Sequence, residues 1–221
     1  MKNFYLAVPL ALAMSGCVDN PPAIQIFNAY IPDDTCVVNL SGAASGGGSL
    51  DLSTSNRYLA GFAVRSGLST TEIVVNDGPL TGTGDDTAVY VTHVELTYET
   101  EGDGPDLESE LYPTHFALPS NAAGNSTMVI DLLGGNALET LSSQLAVGSS
   151  ATFNVRVKLI GKTVTGSKAE SNEIAYPITF YASGFTCPPE TFLLQTGPCG
   201  GTGGQDSFRP ECSEPPEEEV E

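Results

Sequence analysis

From residue 23 onward, apolar residues recur at every second position in short runs, and Gly, Asn and Asp cluster between the runs. A period of two marks a strand with one face turned to a core. The first run covers 24–31. In the second, 58–65, Tyr58, Ala60, Phe62 and Val64 share one face. A short run at 72–75 reads as an edge strand. The longest alternation is 88–100: Tyr90, Thr92, Val94, Leu96 and Tyr98 fall on one face, and His93, Glu95, Thr97 and Glu99 on the other. One wet face is a mark of antiparallel sheets. Later runs lie at 128–132, at 151–162 with Phe153, Val155, Val157 and Leu159 in step, and at 174–181 with Ile174, Tyr176, Ile178 and Phe180 in step. Only 136–146 has helical spacing, through Leu138, Leu141 and Leu145. About eight strands and one short helix predict an all-β fold, an antiparallel β-sandwich.

Turn chemistry agrees with this reading. Asn76-Asp77-Gly78-Pro79, Gly82-Thr83-Gly84-Asp85-Asp86 and Gly134-Gly135-Asn136 tolerate positive φ or make side-chain turns. Residues 42–48 read as a flexible loop of small residues. After Cys187 the chain turns to Pro, Gly and acid, and 214–221 reads as a disordered, solvated acidic tail. The segment 151–181 runs through Gly161, Gly166 and Ser171-Asn172-Glu173 to a closing strand. It loosely resembles the last hairpin of immunoglobulin-like and fibronectin-like domains, which implies a sandwich of that kind or a related one.

The first sixteen residues belong to a different pattern. Lys2 precedes an apolar run from Phe4 to Met14 that is shorter than the roughly 20 residues a membrane span needs, and small residues follow it. This is the layout of a secretory signal. Met14-Ser15-Gly16-Cys17 resembles the lipobox of bacterial lipoproteins, with Met in place of the usual Leu. The resemblance covers residues 1–20. It implies cleavage before Cys17, a thioether from Cys17 to diacylglycerol and a palmitate-type anchor; Val18 implies the outer membrane or cell surface. The expected organisation is a signal at 1–16, a tether at 17–22, a sandwich at 23–187 and an extension at 188–221.

Charge and cysteine content fit an exported chain. The net charge is −19, and removing residues 1–16 takes away Lys2 alone, which leaves −20. So acidic a field excludes nucleic acid as an expected partner. Five cysteines less Cys17 leave Cys36, Cys187, Cys199 and Cys212, an even set that suggests two disulfides in an oxidising compartment. The reading leans to Cys36 with Cys187 and Cys199 with Cys212. A zinc site is the rival, although no Cys-x-x-Cys pair occurs.

Motifs for catalysis are scarce. Gly161-Lys162-Thr163 ends like a P-loop, but Arg156 stands where the motif needs Gly. His93 and His115 are the two histidines, and nothing in the sequence sets a serine beside either. Glu99, Glu101, Asp103 and Glu110 fall at positions 1, 3, 5 and 12 of an EF-hand spacing with Gly104 at position 6, a candidate Ca²⁺ loop. Its departures are Glu at position 1, Asp106 at position 8 and a strand in place of the first helix. The rival is a solvated acidic hairpin tip, and no other cofactor is expected. The functional expectation is a lipid-anchored, non-catalytic envelope protein that binds, adheres or assembles through an envelope protein or surface polymer. The alternative is a cell-surface hydrolase that attacks carbohydrate with paired acids.

Overall fold

The computed structural model describes residues 22–68, 88–119 and 125–214 in full, and the backbone of 74–75 and 78–79. In chain order the elements are β1 (Ile24–Tyr30), β2 (Gly48–Asp51), β3 (Leu59–Ser66), β4 (Val74–Val75), β5 (Gly78–Pro79), β6 (Val89–Glu101), β7 (Glu110–Leu118), β8 (Ser126–Asp131), α1 (Gly135–Gln144), β9 (Ser150–Thr163), β10 (Lys168–Glu170), β11 (Ile174–Tyr181), β12 (Phe192–Leu193) and β13 (Cys212–Ser213). One sheet has the order β1-β3-β8. The other has the order β2-β11-β9-β6-β7, with β10 extending β9 as a hairpin. All pairs are antiparallel except β2 with β11. Among the described residues the fold is an all-β sandwich with one α-helix, as the alternating pattern predicts.

The core lies between the two sheets. Phe62, Val64 and Ile130 from the first meet Leu96, Phe153, Val155, Val157, Ile178 and Phe180 from the second in one buried cluster. Phe153 and Phe180 pack as tilted rings with centroids 5.9 Å apart. Tyr58, just before β3, and Ala60, Phe62 and Val64 within it line the core as expected, yet Leu59 and Ala63 are buried too. For Ala63 the reason is the 31–47 connection, whose Val38 packs with it and Tyr30 on the outer face, whereas Leu59 meets the side chain of Gln205. A Cβ on Gly61 would collide with Val38, so glycine lets the connection lie this close.

The face assignment of β6 needs a correction. Its register with β7 and β9 shifts between Val91 and His93, a bulge that changes which residues face inward. Val94, Leu96 and Tyr98 are buried as expected. Before the bulge it is Val89 and Val91 that are buried, whereas Tyr90 is 51% exposed. Strand β7 lacks a run of apolar residues and carries Pro113, which an edge strand tolerates because it needs no inward N–H on that side. The expected edge strand at 72–75 lies partly outside the described residues, and Val74–Val75 pairs with Gly78–Pro79.

The extension is ordered through Glu214, and residues 215–221 lie outside the described residues. It folds back along the sandwich. Leu50 bridges Gln205, the amide of Asp51 donates to the Gly204 carbonyl (2.9 Å), and that of Asp206 to the Ser49 carbonyl (2.9 Å). The extension thus covers the outer edge of β2, which would otherwise present unpaired backbone groups.

Candidate functional site

Cys17 and the lipobox-like segment 14–17 lie outside the described residues. The described chain starts at Pro22, at the end of the sandwich where Ile24 pairs with Ser66 and bridges Ser171.

The four remaining cysteines form two disulfides, Cys36–Cys199 and Cys187–Cys212. Cys36 does join the C-terminal set, but its partner is Cys199 where Cys187 was expected. The back-folding explains the exchange: β12 pairs with β13 and aligns Leu193 with Cys212, and the amide of Cys199 donates to the Asp33 carbonyl (2.8 Å) beside Cys36. Two disulfides suit an oxidising compartment. No helix among the described residues is long and apolar enough to cross a membrane.

Glu99, Glu101, Asp103 and Glu110 do not converge, which corrects the calcium-loop expectation. Strand β6 places Glu99 and Glu101 on the outer face of its sheet, where neighbouring β9 offers partners. Arg156 bridges Glu99 (2.9 Å) and Glu173 (2.7 Å), and Asn154 donates to Glu101. Asp103 is exposed in the turn. Glu110 begins β7 and points to α1, where it accepts the amides of Ala137 (2.9 Å) and Asn136 (3.3 Å). An anion at a helix N-terminus meets unpaired N–H groups and the positive dipole end. A Cβ on Gly134 would collide with that carboxylate. The hairpin therefore spreads the acids between a sheet face and a helix end. No group of three or more His, Cys, Asp or Glu side chains suited to a metal occurs among the described residues.

Other acids have similar duties that the sequence did not announce. Buried Asp51 accepts the amides of Ser53 (3.0 Å) and Ser183 (3.1 Å) and the Ser183 hydroxyl. Asp131 accepts the amides of Tyr58 (3.0 Å) and Leu133 (3.2 Å) and pairs with Arg57 (3.1 Å). Burial nevertheless holds its carboxyl above the usual range.

The densest polar cluster joins the extension to the core. Asp206 accepts the Ser49 amide (2.8 Å) and the Tyr58 hydroxyl (3.1 Å); Tyr58 also meets the Tyr176 hydroxyl (3.1 Å), which meets Ser45 (2.6 Å). Burial raises both Tyr58 and Asp206 above their ordinary values. Next to it the Gln205 side chain acts like a strand, accepting the Leu59 amide (2.9 Å) and donating to the Leu59 carbonyl (2.8 Å). Such a cluster can anchor a segment.

The histidines stand apart from it. His93, beside the β6 bulge, has Nδ1 3.0 Å from the Thr92 hydroxyl. His115 lines an open depression of about 240 Å³ with Tyr90, Val91, Thr92, Phe116 and Ala117. No family model, no curated protein and no solved structure matches the chain.

Proposed function

We propose that this chain is a lipid-anchored protein of a bacterial cell envelope, exported by residues 1–16, acylated at Cys17 and held at the outer membrane or cell surface. There its sandwich acts as a non-catalytic binding, adhesion or assembly component toward an envelope protein or surface polymer. The observation that carries this reading is the lipobox at 14–17, joined by about five residues to a domain closed by two disulfides. Two or three acyl chains, each methylene worth about 0.8 kcal/mol when buried, make a stable anchor where a single chain is marginal.

The employment of the acids supports a non-catalytic role. Asp51, Asp131, Asp206 and Glu110 all accept backbone amides, which is a structural duty. The strand order supports the immunoglobulin-like reading. With β1, β3 and β8 as strands A, B and E, the second sheet reads A′-G-F-C-C′.

Metabolic labelling with palmitate tests the anchor. Wild type is expected to incorporate label and Cys17→Ser to incorporate none; equal labelling of the two would overturn the reading.

A further inference from the structure

The point where the chain enters the sandwich selects which end faces the lipid. The amide of Gly67 donates to the Ala23 carbonyl (2.9 Å), and Ile24 pairs with Ser66 and bridges Ser171. The β9–β10 hairpin leaves from this same end, since Thr163 lies opposite Val89 at the start of β6 and Lys162 lies opposite both Lys168 and Tyr90. Its tip carries Val164, 46% exposed, and Tyr90 beside it is 51% exposed. Lys158 and Lys168 share Glu170, whereas Lys162 has no carboxylate partner among the described residues. The opposite end bears Glu101, Asp103, Asp106, Glu108 and Glu139, around α1 and the 102–109 turn.

Tether length makes the choice of end physical. Residues 17–21 reach at most about 18 Å, while the fourteen residues of β9 extend about 46 Å. The β3–β6 connection also contains Glu72, Asp77, Asp85 and Asp86. Length therefore sets the orientation, and the basic and apolar side chains refine it. Tyrosine favours the headgroup layer, and lysine can lay its stem on apolar surface while its ammonium meets lipid phosphate.

We infer that the end formed by Ala23, the β9–β10 hairpin and Tyr90 rests on the lipid headgroup layer, with Val164 and Tyr90 in the interface and Lys162 and Lys168 at the phosphates. The end bearing α1 and the 102–109 turn is then the surface offered to a partner. This rests on acylation at Cys17.

The test uses the full acylated chain in phosphatidylethanolamine–phosphatidylglycerol vesicles, compared with the same chain carrying about twenty Gly/Ser residues inserted between Asp19 and Asn20. Amine-reactive footprinting read by mass spectrometry is expected to show Lys162 and Lys168 reacting at least about fivefold more slowly with the short tether, and carboxylate labelling of Glu108 and Glu139 unchanged. Val164→Glu, at an exposed turn, is expected to return at least about twofold of that reactivity. Equal lysine reactivity in the two tethers, with palmitate present in both, would overturn the orientation and leave the anchor standing. A Val164→Glu chain as protected as wild type would also overturn it. Absence of palmitate would remove the anchor and the orientation together.

Discussion

Phe62, Phe153 and Phe180 are wholly buried between the sheets, whereas no Val, Leu, Ile or Phe after Cys187 is buried among the described residues. The sandwich is held by apolar burial. The extension is held by two disulfides, by β12–β13 pairing and by Gln205 and Asp206 reaching the backbone of β2 and β3. Hydrophobic burial is non-directional and tolerates modest shifts, but hydrogen bonds of this kind hold only while the segment stays in register. The contrast teaches that a Gly- and Pro-rich segment with little apolar mass can be ordered when covalent links fix its ends.

The largest expected effect lies in the core. Phe153→Ala leaves a cavity between the sheets and is expected to cost about 3–5 kcal/mol in chemical denaturation. A cost below that of loosening the extension would break the contrast. Next comes the covalent pin. Cys36→Ser combined with Cys199→Ser is expected to cost about 2–5 kcal/mol, because the link closes most of the chain into one loop. Amide exchange sharpens this prediction. Leu59 and Asp51, which bond to the extension, are expected to lose protection while Val155 and Val157 keep theirs. Equal loss at all four amides would show that the extension is part of the core's cooperative unit.

The smallest effect is a pH dependence. Burial raises the Asp206 carboxyl above its unfolded value, so the native state binds the proton more tightly. Its stabilisation is fully present below the unfolded value and is lost as pH rises through the native one. The Tm of wild type minus that of Asp206→Asn is therefore expected to fall as pH rises from the unfolded carboxyl value, about 4, toward neutrality. A difference that grows over this range would mean that the bonds from Ser49 and Tyr58 to the ionised carboxylate outweigh burial.

Alternation made β9 and β11 legible because both are central strands whose inward residues pack on one core. The same cue misassigned Tyr90, since a bulge adds one residue without altering composition. Strand β7 was missed because an edge strand with Pro113 and exposed alternate positions has no apolar rhythm. β2 was missed because it begins in a run of glycines and owes its pairing to β11, about 130 residues away. The EF-hand spacing misled for a similar reason: position along the chain counts residues, while a hairpin sends neighbouring acids to different partners. Nor does the sequence reveal that Gln205 serves as a strand, because its partner Leu59 is brought near only by the fold.

The Cys36–Cys199 link also dictates a schedule for the newborn protein. On the export proposed above, Cys36 crosses the membrane early and waits for a partner 163 residues behind it, while Cys187 and Cys212, each within thirteen residues of that partner, arrive as competitors. Until Cys199 emerges, the 31–47 connection has no covalent hold. Mispairing with Cys187, the first thiol to follow, is the characteristic error to be repaired by thiol exchange on the scale of seconds to hours. Correct pairing of Cys36 is thus paced by the C-terminal quarter of the chain, which is made after most of the sandwich.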